Sequence, residues 1–170
     1  MKRQIQIPTH YANGEPTRWP ELILTGLLRN GLDGEIPKSI EDHPIMHTIL
    51  LWNTFGFPLP DKIHHIVPTD FECNPGDDIE FLAVTPDGEK FKFAPYVKCT
   101  GVYPISIDRK EDRNGWFMGI SLLNLKTKTL RNEQFKEFLL NEGFDSYDEF
   151  CEVYPTPKYK GLIHWTDKRY

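Results

Sequence analysis

The chain opens on a short alternation: Ile5 and Ile7 flank Gln6, after Lys2-Arg3-Gln4. Successive strand side chains point to opposite faces, so this pattern predicts a strand. Pro8, Asn13-Gly14 and Pro16 then mark a turn-rich loop. From Trp19 to Arg29 the apolar residues Leu22, Ile23, Leu27 and Leu28 recur at helical spacing, and Pro20 suits a first turn, where its missing N–H costs nothing. Asn30-Gly31 and Asp33-Gly34 punctuate the chain. Ser39 and Asp42 stand at capping-box spacing. The run 45–52 is compatible by period with either a buried helix or a buried strand, and we read it as helix. Phe55 to Pro60, rich in glycine and proline, is expected to be irregular.

From Lys62 the period changes to two. Residues 62–67, 78–84, 90–93, 97–107 and 116–123 read as strands. Asn74-Pro75-Gly76, Pro86-Asp87-Gly88 and Arg113-Asn114-Gly115 separate them as turns. Short strands at this spacing suggest a small barrel. A helix over 132–141 places Phe135, Phe138 and Leu139 on one face. A capping box at Ser146-Tyr147-Asp148-Glu149 opens a second helix with Phe150, Val153 and Tyr154 as its stripe. Gly143 between them suits a left-handed position, Pro155 and Pro157 end the pair, and 161–165 reads as a last strand. The expected fold is therefore α+β: one domain over 1–170, a small β-barrel with flanking helices.

Composition narrows the function classes. Of 170 residues, 39% are hydrophobic and 13% aromatic, too many for a disordered chain. No apolar run approaches the ~20 residues a bilayer span needs. Lys2-Arg3 is followed by no apolar core of a secretory signal. A cytoplasmic protein with no membrane partner is expected. Cys73, Cys99 and Cys151 are widely spaced, with no CxxC, so neither a disulfide framework nor a zinc knuckle is expected. The net charge of −5 argues against indiscriminate gripping of duplex DNA, which phosphate neutralisation drives. A nucleic-acid site would be local and would rely on stacking and shape. The acidic stretch Asp70, Glu72, Asp77, Asp78, Glu80 lacks EF-hand spacing and reads as solvated loop charge. No P-loop, GxGxxG, nucleophile elbow or HExxH occurs, and no cofactor or metal is expected.

The densest chemically capable cluster is Lys62, His64 and His65. On a strand Lys62 and His64 share one face and His65 takes the other. Facing a barrel mouth, the first two could hold a phosphate or polarise a carbonyl, with histidine as acid or base; the alternative is an ordinary polar surface strand. A lysine is rarely buried, so removing Lys62 is expected to cost little stability. Trp165, between His164 and Thr166, is either a base-stacking platform or a core residue. Ile163 shares a face with Trp165 and draws it inward, which points His164 and Thr166 towards a ligand.

Several of these segments resemble the ASCH/PUA-like group of domains, in particular phage-associated ASCH-like proteins. Gly143-Phe144-Asp145-Ser146 through Phe150, followed by Ile163-His164-Trp165-Thr166-Asp167, resembles their "DGFxSxxEFF…IIHWTD" ending. Cys99-Thr100-Gly101-Val102 resembles "CTGVQxIxI", and Lys62-Ile63-His64-His65-Ile66-Val67 with Pro75-Gly76-Asp77 resembles "KxHTIR…PGDxI". The resemblance covers roughly 60–170, with 62–170 as the ASCH/PUA-like core and 27–61 as an insertion. It implies a binding module for nucleic acid or a nucleotide, with Lys62, His64, His65, His164, Trp165 and Thr166 as ligand-binding residues. Relatives that deacylate modified cytidine imply a catalytic set of a Lys and a Thr of this signature and a Glu on a later strand. Lys62 matches; His65 stands at the Thr, Val67 at the Arg, and the strand 97–107 holds no Glu. Two alternatives stay open: an amidohydrolase or nuclease using Lys62 and a histidine, and a phage factor that contacts a host protein through 27–61.

Overall fold

The structure is a computed structural model that describes residues 1–32, 34–41, 43–55, 61–112, 115–122, 128–130, 132–155 and 158–167. The elements run β1 (Lys2–Pro8), α1 (Trp19–Arg29), a 3-10 turn (Lys38–Ile40), α2 (Pro44–Phe55), β2 (His64–Val67), β3 (Asp78–Val84), β4 (Lys90–Lys92), β5 (Val97–Lys98), β6 (Gly101–Asp112), β7 (Gly115–Leu122), β8 (Lys128–Leu130), α3 (Asn132–Glu142), α4 (Tyr147–Val153) and β9 (Lys158–His164). The class is α+β. Asp33, the Asp42 half of the first capping box, residues 56–60, the turn residues Arg113-Asn114, Leu123 and Pro157 lie outside the described residues.

Two sheets form. In the first, β1 runs parallel to β3, and β4 and β5 both pair antiparallel with β3. The alternation at the N-terminus explains β1: Ile5 and Ile7 face inward opposite Phe81 and Ala83, while Gln4 and Gln6 face outward. The second sheet is antiparallel throughout, in the order β2-β9-β6-β7-β8. Among the described residues no pairing joins the two sheets into a closed barrel.

The segment expected as one strand over 97–107 is divided between the sheets. β5 belongs to the first and β6 to the second, and the chain crosses at Cys99 and Thr100. The Cys99 amide donates to Asp77 O at 2.8 Å, beside β3, and the Thr100 amide donates to His164 O at 2.8 Å, in β9. One residue is thus tied to each sheet. The sequence pattern does not predict β8. In Lys128-Thr129-Leu130 only Leu130 is apolar, too little alternation to register as a strand.

The helices cover this core. α1 is buried nearly all round, from Trp19 to Leu27, as a helix enclosed by other elements must be. Phe135, Phe138 and Leu139 of α3 are buried, as is Phe150 of α4. Ser146 Oγ accepts from the Glu149 amide at 3.2 Å, as a cap does. The Glu149 carboxylate does not return to Ser146. It accepts instead from the Asp145 amide at 3.0 Å and the Tyr11 hydroxyl at 2.6 Å. Gly143 takes φ +90°, and a Cβ there would meet the Trp19 ring at 2.9 Å, so both conformation and space require glycine. Among the described residues no helix is long and apolar enough to cross a membrane.

Candidate functional site

Lys62 and Ile63 run between two helices just before β2. The Lys62 amide donates to Leu22 O of α1 at 3.3 Å, and the Ile63 amide donates to Asn141 O of α3 at 3.2 Å. The approach to α1 is close: a Cβ on Gly26 would lie 2.9 Å from Lys62 O. This backbone position carries the Lys62 side chain inward, where it is fully buried.

Its partner is Glu142, the last residue of α3 and also fully buried. Lys62 Nζ lies 3.0 Å from Glu142 Oε2 and also donates to the Glu142 carbonyl, one of the carbonyls a helix C-terminus leaves unpaired. His64 Nδ1 lies 2.9 Å from Oε2. His65 Nδ1 and the Ile66 amide both lie 3.0 Å from Oε1. Each carboxylate oxygen therefore receives two donors. An ionised carboxylate only accepts, so both imidazoles carry a proton on Nδ1.

Strand alternation predicts His64 and His65 on opposite faces, yet both reach one carboxylate. The reason is that β2 is an edge strand. The Ile66 amide faces the open edge, away from β9, and Glu142 sits there, roughly in the plane of the sheet. From the edge it meets side chains from either face. It also occupies a strand edge that would otherwise offer free donors.

Electrostatics follow from burial. Burial pushes the Lys62 ammonium down to about 8, against the pull of Glu142. Burial also lowers both histidines; for His65 the Lys62 charge adds to this. Burial alone would raise Glu142, but Lys62, His65 and the imidazole hydrogen bonds outweigh it and hold the carboxyl well below the usual range. Near neutral pH the quartet is one ion pair with two neutral imidazoles. Trp19 closes one side: its ring centroid is 5.0 Å from Lys62 Nζ and 5.5 Å from the His65 ring.

A row of rings leads away from the quartet. His64 stacks on Phe138 at 4.7 Å and lies 5.3 Å from His164; Tyr103 meets His164 edge-on at 5.5 Å. The register explains the row. His64 pairs with His164, which pairs with Gly101, and Tyr103 lies two residues further along the same face. His164 is buried, while Tyr103 is only half-buried. Thr100 Oγ1 donates to Thr166 O beside this row.

All six residues singled out from sequence are buried. Lys62, His64 and His65 come together, with His164 next to His64. Trp165 is a core residue, 1% exposed, edge-on to Phe81 at 4.9 Å, and stands apart from the quartet's ring row. Lys62 is not at a surface, so the expectation that its removal costs little is corrected: removal would strand a buried carboxylate. Sequence reasoning missed Glu142 and Tyr103. The signal for Glu142 was present. Phe135, Phe138 and Leu139 set the buried stripe of α3, and Glu142 occupies the next position of that stripe, at i+7 from Phe135.

No family model, curated protein or solved structure matches this chain.

Proposed function

We propose that this chain is an ASCH/PUA-like module that binds a nucleotide, or a base of single-stranded nucleic acid, on the β2-β9-β6 face. The observation that carries the reading is the row Tyr103, His164, His64, which runs from a half-buried phenol to the Lys62–Glu142 pair. A base stacked on the half-buried Tyr103 ring gains ~1–3 kcal/mol, and the buried imidazoles behind it hold that ring in place. The net charge of −5 favours stacking over phosphate contacts. In this reading the two sheets are the halves of an opened PUA-like barrel, with β9 and β6 at its centre.

The Lys62–Glu142 contact favours a second reading, an amidohydrolase. The resemblance implies a lysine and a glutamate acting together, and α3 brings to Lys62 the carboxylate that the 97–107 strand lacks.

The test is titration of the wild type and Tyr103→Ala with labelled single-stranded RNA, single-stranded DNA and free nucleotides at two salt concentrations. The expected result is binding with a shallow salt slope, weakened about 5–150-fold in Tyr103→Ala, the equivalent of ~1–3 kcal/mol. Failure to bind any of these, or an unchanged Tyr103→Ala affinity, refutes the binding reading. Release of the free acid from an acylated cytidine would establish the second reading.

A further inference from the structure

The two sheets treat their outer edges differently. At β2 the Glu142 carboxylate fills the open edge, whereas the edge of β1 is bare. β1 lies parallel to β3, with Lys2 opposite Asp78 and Pro8 opposite Val84, and the bonds at its two ends fix which backbone groups face β3. The Asp78 amide donates to Met1 O at 2.8 Å, and the Thr9 amide donates to Val84 O at 2.9 Å. Alternate residues of a parallel ladder face the neighbouring strand, so Arg3, Ile5 and Ile7 bond to β3. The amides and carbonyls of Lys2, Gln4 and Gln6 therefore point off the sheet, and none has a partner among the described residues. All three residues are exposed. The open stretch stops at Pro8, which has no N–H and whose carbonyl already accepts from Thr17 Oγ1 at 2.7 Å.

We propose that β1 is the contact through which two copies of this chain pair, antiparallel and about a two-fold axis, into one continuous sheet. The free groups match themselves in one register. Gln4 lies opposite Gln4 of the second copy, Lys2 opposite its Gln6, and Gln6 opposite its Lys2. Residues opposed in this way exchange both of their bonds, so every free amide and carbonyl of the two edges is used. A one-residue shift would oppose groups that already face β3. A two-residue shift either sets Lys2 against Pro8, which can neither donate nor accept, or carries Gln6 beyond the end of β1.

Charge does not oppose the contact. A lysine aimed outward is one device that keeps strand edges apart, but here the cations are balanced within their own chain. Lys2 Nζ lies 3.1 Å from Glu80 Oε1, and Arg3 Nε lies 3.5 Å from Asp77 Oδ2. The register also sets each Lys2 against a glutamine and not against the other Lys2. Because both copies offer the same edge, pairing consumes it on each, and association through β1 closes at two. This self-matching is what selects a second copy over a strand of another protein.

The experiment is sedimentation velocity and light scattering on the full chain across a wide concentration series. The expected mass rises from 19.9 kDa to twice that value as concentration increases. Gln4→Pro removes the central N–H, and an edge strand tolerates proline where its N–H faces outward, so this variant should keep the wild-type circular dichroism and remain at 19.9 kDa. Gln4→Ala leaves the main chain intact and should still pair. A short linker reactive at both ends towards thiols should join two copies of Gln4→Cys, whose opposed Cα atoms would lie ~5.5 Å apart. It should not join Gln6→Cys, whose two copies would lie ~13 Å apart along the strands; the wild type, with its native thiols, is the control. A wild type that stays monomeric at every concentration would overturn the proposal, as would a folded Gln4→Pro protein that still doubles in mass. Joining of Gln6→Cys but not Gln4→Cys would overturn the register. If Gln4→Pro fails to fold, the wild-type series and the cross-links decide the matter without it.

Discussion

Glu142→Gln is the sharpest perturbation of the buried quartet, because it keeps the shape and removes the charge. The carboxylate receives four side-chain and backbone donors: Lys62 and His64 on Oε2, His65 and Ile66 on Oε1. A glutamine offers one oxygen and one NH2 group. Whichever way it turns, the NH2 faces two former donors. If it faces Oε2's partners, His64 can change tautomer to accept, but Lys62 must lose its proton or stay charged with no counter-ion. Breaking a buried pair from one side costs ~3–5 kcal/mol, because a stranded charge has neither water nor partner. For a chain of this size each kcal/mol shifts Tm by roughly 2–4 °C, so the expected fall is roughly 6–20 °C. Urea unfolding followed by circular dichroism gives the same quantity independently. The control is Lys62→Met with Glu142→Gln: the amide oxygen still accepts from His65 and the Ile66 amide, the NH2 group faces His64 in its accepting tautomer, and no charge is stranded, so it should recover most of the lost stability. A Glu142→Gln protein within about 1 kcal/mol of wild type, or a double variant no better than the single, would refute the account of the quartet as a compensated ion cluster.

Three further outcomes follow from the structure. Stability should fall in acid in two stages: His64 and His65 have lowered values in the fold, and Glu142 has one well below its ordinary range. The unfolded chain therefore binds more protons, and stability held above the unfolded values is lost as pH falls from ~6.5, and then from ~4.3, towards the lower folded values; urea midpoints from pH 8 to pH 3 check this, and a flat profile would contradict it. Lys62, lowered to about 8, adds the same sign at the alkaline end: its unfolded form still holds the proton between about 8 and ~10.4, so its share of stability rises with pH there. Trp165→Ala should cost ~3–5 kcal/mol, as removal of a fully buried aromatic does, and thermal melts would show it; a folded Trp165→Ala protein with near-normal Tm would contradict its place in the core.

The fold was legible where local pattern and tertiary demand agree. The Ile5/Ile7 alternation, the apolar stripe of α1, the Ser146 cap and the left-handed Gly143 each depend on neighbours in sequence, and each is where the pattern put it. Legibility failed where the outcome depends on distant segments. Nothing within 97–107 shows that the chain leaves one sheet for another at Cys99-Thr100, because the amides that decide it bond to Asp77 and His164. The site divides in the same way. Lys62, His64 and His65 stood out because such residues are unusual in an otherwise apolar run. The carboxylate that neutralises them is on another element, and its helical stripe position identified it as buried without saying what it faced.

The placement of β9 bears on how the chain reaches this structure. Among the described residues it is the last strand in sequence, and it lies between β2 and β6. Until it arrives, both neighbours keep an unpaired edge, and Lys62 also waits for the carboxylate of α3. During synthesis β2 therefore emerges with an open edge and an uncompensated lysine, long before either partner exists. Pairings this distant are slow to form, and open strand edges invite contacts between copies. The second sheet should therefore close late, only once β9 inserts between β2 and β6.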